Sequence, residues 1–342
     1  MKYNEKAIFR RYSFMKVFKY ILDILRGAAI GIANVIPGVS GGTIAVSMGI
    51  YDKILDAVNN IFKKFKKSIL TLLPYGIGMV IGIVGLAKII GLLFEKFPLP
   101  TIFLFIGLIF GGIPLLLSKI SGRKINVFAW IIFLIFLALM IYLPFLGEGE
   151  AKTFEPSVVT AVKMILAGIL ASATMVIPGV SGSAMMMAIG YYTNIIGSIN
   201  NLVDALKALD FAAMVKPVLI LLPFGVGVLI GIIGIAKLIG FLMKKALVYT
   251  YSAIMGLVIA SPYSIFVSVL SENGSINMKE IIATSKSTNF FKALGDLFSG
   301  IGNYFASASA GTLIASVGTL LVGGAIAYFM SRGEIKESKK SK

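Results

Sequence analysis

The chain has 342 residues, 58% of them hydrophobic and only 14% charged, with a mean hydropathy of +0.94. That balance excludes a water-soluble enzyme, and the lack of cysteine and histidine excludes thiol nucleophiles, disulfides, imidazole bases and zinc sites built on those ligands. The net charge of +17 lies between apolar segments rather than on one surface, which points to membrane topology and argues against nucleic acid as a partner.

In chain order, residues 1–25 carry Lys2, Lys6, Arg10, Arg11, Lys16 and Lys19 among apolar residues, as a basic amphipathic helix on the inner leaflet does. No apolar stretch with a small-residue cleavage site adjoins them, so they are expected to stay in the mature chain. Next comes Val35-Ile-Pro-Gly-Val-Ser-Gly41, where Pro removes a donor and Gly permits positive φ. Residues 26–54 therefore predict a re-entrant helical hairpin. Full transmembrane helices are predicted at 69–92, 99–117 and 126–146, completing a first unit over 26–146.

A second unit spans 157–330. Its Val176-Ile-Pro-Gly-Val-Ser-Gly182 repeats the first motif residue for residue and predicts a second hairpin at 160–196, although 157–177 has the length of a span. Spans follow at 217–242, 248–270 and 308–330, the last two separated by an insertion, 271–306, that has no counterpart in the first unit. Residues 331–342 form a basic tail. Leu72-Leu-Pro-Tyr-Gly-Ile-Gly-Met-Val-Ile-Gly82 also returns as Leu221-Leu-Pro-Phe-Gly-Val-Gly-Val-Leu-Ile-Gly231. The order is preserved, so the chain reads as two homologous halves of one membrane domain.

Lysine and arginine concentrate on the cytoplasmic side of short loops. Putting both termini, 53–67, 119–124 and 244–245 inside, with 146–156 and 199–216 outside, places most of the 32 basic residues in the cytoplasm. Three spans then separate the hairpins, which enter from opposite faces. The expected fold is an all-α polytopic membrane protein with inverted-topology repeats, two re-entrant hairpins and about six full spans, and 271–306 lies outside.

The motifs offer chemistry as well as a turn. Ser40-Gly41-Gly42-Thr43 and Ser181-Gly182-Ser183 place hydroxyls and glycines where helix N–H groups have no partner, so a phosphate or carboxylate is the natural ligand. Pro and Gly alone account for a tight turn, but a turn does not need the repeated serine. Gly38 and Gly179 belong to the same turns. Arg26 either neutralises a phosphate or pairs with Asp23; Asn34 and Tyr51, like Thr174 and Tyr192, either hydrogen-bond the ligand or tie helices together. Lys88 and Lys237 are intramembrane cations at corresponding positions, candidates for accessory contacts or for snorkelling. Gly78, Gly82 and Gly85, with Gly227, Gly231 and Gly234, read as packing positions, and Asp52 and Asp56 are the nearest acidic candidates for a proton relay but read rather as solvated helix-end carboxylates. Paired carboxylates of a hydrolase, a Walker loop and a nucleophile elbow are absent from the sequence, so neither an enzyme nor a cofactor or metal is expected.

Arg26-Gly27, Gly31-x-Ala33-Asn34-x-Ile36-Pro37-Gly38-Val39-Ser40-Gly41-Gly42-Thr43 and Gly49-Ile50-Tyr51, with the second Pro178-Gly-Val-Ser-Gly182, resemble the polyprenyl-phosphate translocase family, PopT-type, over residues 15–330. The resemblance implies a bacterial plasma-membrane flippase that returns undecaprenyl phosphate from the outer to the inner leaflet for cell-wall synthesis. The lipid and the bilayer are then its partners, protons or another ion are candidates for coupling, and the oligomeric state is open. The family pattern often has Asp at position 34, so Asn34 argues against a proton carried there. A secondary transporter of a small soluble anion is the alternative, since it would use the same helix termini.

Overall fold

The computed structural model describes residues 2–340 apart from 37, 148 and 288, and side chains over 17–335 apart from those positions and 35, 87 and 88. Among the described residues every regular element is helical, as a chain needs to be when no water is available to satisfy its backbone. Helix α1 (Lys2–Val35) runs unbroken through the expected boundary at residue 25. It is followed by the short pair α2 (Gly41–Ser47) and α3 (Tyr51–Asn59), then α4 (Phe65–Ile81), a π-helical turn at Gly82–Leu86 and α5 (Ala87–Lys96). Helices α6 (Pro98–Ile120) and α7 (Val127–Tyr142) close the first half, with a 3-10 turn over Leu143–Leu146.

The second half follows the same order. Helix α8 (Val158–Val176) leads into the short pair α9 (Gly182–Ala188) and α10 (Tyr192–Lys207), then α11 (Phe211–Lys245) and α12 (Leu247–Glu272). The insertion forms α13 (Met278–Ser287) and α14 (Phe290–Ser307) before α15 (Ala310–Lys340) ends the described chain. Among the described residues, seven helices are long and apolar enough to cross a membrane: the six predicted spans and α8, a single helix of 19 residues. The chain is an all-α polytopic membrane protein.

In lipid, helices associate through close packing of small residues, and glycine sets the contacts here. A Cβ on Gly78 would stand 2.0 Å from the Ile24 carbonyl oxygen, and one on Gly82 would stand 2.2 Å from that of Ala28, so α4 lies against the backbone of α1. At the corresponding positions a Cβ on Gly227 would stand 2.1 Å from the Ile165 carbonyl oxygen and one on Gly231 would stand 2.0 Å from Ser172 Oγ, so α11 is seated on α8. Gly85 and Gly234 instead face open space. Gly107 brings α6 onto α15, and Gly256 brings α12 onto α7. Each half thus lends its last long helix to the other, and α6 and α12 become the most buried spans.

The two short pairs differ in burial despite their shared motif. Residues 38–48 of the first are wholly buried, with Ile44 and Ile50 at 0% exposure in the main core. Residues 181–185 of the second are only half-buried. Identical peptides therefore sit in different surroundings, and the second faces open volume.

Candidate functional site at the paired motifs

Both turns use glycine where the backbone is left-handed: Gly38 and Gly179 at φ +75° and +93°, and Gly49 and Gly190 at +75° and +76° after the short helices. The turns meet directly. Gly179 N–H donates to Thr43 Oγ1 at 2.6 Å, joining the first copy to the second, and Gly42 is backed by the Met175 carbonyl and Pro178. The Asn34 amide lies against Gly41, where a Cβ would come within 2.5 Å of Oδ1.

Between the motifs lies a cavity of about 200 Å³. Asn34, Ser40, Ser181, Gly182, Ser183 and Tyr192 line it together with the apolar Met175, Met186, Ile195, Ile196 and Phe224. Ser181 Oγ caps α9 by accepting Ala184 N–H at 3.4 Å and pairs with Ser183 Oγ at 2.9 Å. Ser40 stands at the same place before α2 but makes no cap bond, and its buried hydroxyl has no partner. An unsatisfied buried hydroxyl costs about 1–3 kcal/mol, which a ligand acceptor would relieve.

Ser181 also borders a larger cavity of about 830 Å³. Gly38 and Gly179 lie at its base, Ser264, Ser268 and Ser271 of α12 form one wall, and the exposed Glu150, Glu272, Lys279 and Lys286 edge it. The other end of α12, roughly 30 Å away at 1.5 Å per residue, is closed. There Tyr251 Oη donates to both Asp52 carboxylate oxygens at 2.8 and 3.0 Å, and Lys119 Nζ approaches the same carboxylate at 2.7 Å. Tyr51 Oη adds a bond to the Val176 carbonyl at 3.0 Å. Asp52, in the first turn of α3 and still partly exposed, is thus also a bridge between the halves, whereas Asp56 is exposed and accepts from nearby Asn60.

Arg26 lines neither cavity. Its Nη1 pairs with Asp23 at 3.0 Å, its Nη2 donates to the Met330 carbonyl, and its buried Nε has no partner. Lys53 Nζ completes the cluster, 2.9 Å from Asp23 and 2.7 Å from Tyr75 Oη. Lys237 is exposed, with Nζ 5.8 Å from the Phe62 ring centre, as a snorkelling lysine would be; the Lys88 side chain lies outside the described residues. Thr174 bonds back to Ala171 O at 2.8 Å. Sequence reasoning missed the α12 wall and the Asp52–Tyr251 bridge. The duplicated Tyr51 and the acid beside it were the only local signals for the latter.

Asp23 lies outside the seven spans, and its ionisation follows from its neighbours. Burial alone would raise its pKa, but hydrogen bonds from Lys53, Tyr75 and Arg26 and the Lys53 charge outweigh burial and hold the carboxyl below its usual range. A depressed carboxylate contributes stability that is present above its unfolded pKa, about 3.9, and is lost as pH falls through the folded value. Unfolding of the detergent-solubilised protein should therefore ease below about pH 4. Asp23→Asn should cost about 3 kcal/mol at pH 7 by stranding Arg26, and should flatten that acid limb. An unchanged acid limb in the variant would assign it elsewhere.

Residues 30–282 match the family model described as VCA0040-like, undecaprenyl phosphate translocase-like. A polyprenyl-phosphate transporter of Staphylococcus aureus is 34% identical over 258 residues, 74% of this chain and 88% of that protein. A polyprenyl-phosphate transporter of Vibrio cholerae is 28% identical over 261 residues, 72% of this chain and 77% of that protein. No solved structure gives a significant match. With the matched region running from the end of α1 through both motif copies to α13, the chain belongs to the undecaprenyl phosphate translocase-like family.

Proposed function

We propose that the chain transports polyprenyl phosphate, returning the undecaprenyl phosphate carrier from the outer to the inner leaflet of a bacterial plasma membrane for cell-envelope polysaccharide synthesis. The observation that carries this reading is the motif cavity, whose lining combines serine, asparagine and tyrosine side chains with Met, Ile and Phe. Its apolar residues Met175 and Ile196 are exposed, at 43% and 38%, beside the lipid-facing flanks of α8 and α10. A phosphate head group suits the hydroxyls while its polyprenyl tail stays with the apolar residues and lipid, a combination that a small soluble anion does not need.

The mechanism we infer is alternating access between inverted halves, each with a membrane-inserted hairpin at its motif. With both basic termini in the cytoplasm, the large cavity opens outward and the Asp52 bridge closes the inner end. Phosphate then enters beside Gly38, Gly179 and Ser181 and is held among Asn34, Ser40, Gly41, Gly42, Thr43, Gly182 and Ser183. It passes inward as the bridge opens towards Arg26, whose Nε is a free donor. Tyr51, Tyr192, Lys88 and Lys237 keep accessory roles in this scheme. A proton or another ion is the coupling partner to be sought.

Leaflet-specific accessibility of undecaprenyl phosphate in proteoliposomes tests this. Protein-dependent transfer is expected, reduced at least tenfold in Ser40→Ala/Ser181→Ala. Transport of free phosphate or carboxylates in place of the lipid would establish the soluble-anion alternative. No lipid transfer under any pH or potential gradient would overturn the proposal.

A further inference from the structure

We propose that Ser264, Ser268 and Ser271 of α12 form a second phosphate-binding element, a hydroxyl track that receives the head group in the large cavity and leads it to the Gly38 turn. The inference rests on the polyprenyl-phosphate reading and adds residues outside both motifs. The spacing i, i+4, i+7 sets the three on one face of α12, and all three line the cavity. At 1.5 Å per residue the hydroxyls are stepped by roughly 6 and 4.5 Å along the helix.

Position and bonding together set them apart, since Ser68, Ser198 and Ser252, which also show no side-chain hydrogen bond among the described residues, do not line this cavity. A serine in an apolar helix usually donates to a carbonyl of the preceding turn. Ser118, Ser172, Ser261, Ser316 and Ser331 do so here, at 2.7–3.1 Å. Ser264, Ser268 and Ser271 make no such bond among the described residues. Ser264 is 9% exposed, and its buried Oγ has no partner at all. The Ser264 donor is buried and costly to leave free, while those of Ser268 and Ser271 are half-buried on the same cavity wall and open to an acceptor there.

The track reaches the motif. A Cβ on Gly38 would stand 2.5 Å from Ser268 Oγ and 2.7 Å from the Ser264 carbonyl, so only glycine lets the turn lie this close. Lys279 and Lys286 at the cavity edge attract a phosphate, and Glu150 and Glu272 beside them oppose it. The wall itself is neutral. Hydroxyl donors bind phosphate oxygens without the strong ion pairing that would trap the substrate, as a transport path requires. The ligand class is a phosphomonoester or free phosphate.

The test is equilibrium binding to full-length protein in nanodiscs, with undecaprenyl phosphate, undecaprenol and inorganic phosphate as probes. Ser264→Ala/Ser268→Ala/Ser271→Ala should bind undecaprenyl phosphate at least tenfold more weakly than wild type. Ser261→Ala, whose hydroxyl already bonds to Val258, should stay within twofold. Undecaprenol should bind wild type and triple variant alike. Competition by inorganic phosphate would show that the track takes the free ion; its absence would show that the lipid is required. As a check independent of folding, Ser268→Cys in this cysteine-free chain should be labelled by a thiol reagent and protected by undecaprenyl phosphate but not by undecaprenol. Wild-type affinity in the triple variant, with binding lost in Ser40→Ala/Ser181→Ala, would overturn the track alone. Failure of wild type to bind either phosphate would overturn the track together with the transport reading.

Discussion

Thr43→Val is expected to reduce lipid transfer at least tenfold in protein that still folds. Thr43 is 1% exposed and its hydroxyl accepts Gly179 N–H, so valine keeps the shape and removes only the acceptor. The stranded amide costs about 1–3 kcal/mol, all of it at a hydrogen bond that joins the two motif turns. Relaxation there would separate Ser40 from Ser181 and open the cavity they share. Thr43→Ser restores the acceptor at the cost of one methyl, about 1 kcal/mol, and should recover most of the transfer. Thermal unfolding in detergent alongside transfer in proteoliposomes separates junction from fold. Wild-type transfer by Thr43→Val would mean that the junction is structural only.

Much of this arrangement is legible in the sequence because repetition does what periodicity cannot. The duplicated heptapeptide and the polar residues flanking it single out Asn34, Ser40, Ser181, Gly182, Ser183 and Tyr192, which line one cavity although the halves that carry them are far apart in sequence. The paired glycines likewise mark the contacts of α4 with α1 and of α11 with α8. Arg26 shows the limit. Its proximity to the motif in sequence suggests a role at the turn, yet α1 continues straight for more than two helical turns after it and leaves the guanidinium with Asp23 and α15. Sequence symmetry also conceals the difference between the halves. Ser40 and Ser181 occupy identical peptides, but one hydroxyl is sealed and free while the other is capped and faces open volume. Such a difference belongs to the packing of one conformation, so no residue pattern encodes it. The α12 serines escaped notice for a related reason: in an apolar helix they resemble residues that bond to their own backbone, and only the cavity distinguishes them.

In the proposed alternating-access cycle, breaking the bridge at the closed end should shift the conformational equilibrium towards the inward-facing state. Tyr251 Oη is shared by both oxygens of Asp52, and Lys119 holds the same carboxylate, so one acid ties α3 to α6 and α12. A hydrogen bond to a charged group is worth about 1.5–3 kcal/mol, and Tyr251→Phe removes it with little change of shape. If that bond exists only in the outward-facing state, its loss moves the equilibrium between about tenfold and a hundredfold. Asp52→Asn should go further, because Lys119 then also loses its charged partner. Val46 is buried, lines the small recess beside Asp52, and is suited to report the change. In a Val46→Cys background, an impermeant thiol reagent applied from the cytoplasmic face should react at least tenfold faster once Tyr251→Phe is added. Over the same comparison, Ser268→Cys should become slower to label from outside. Reciprocal changes at two positions near opposite ends of α12 would require the halves to move as alternating access demands. Faster labelling in the Val46→Cys background alone would reduce the bridge to a local latch, and unchanged rates at both positions would remove it from the transport cycle.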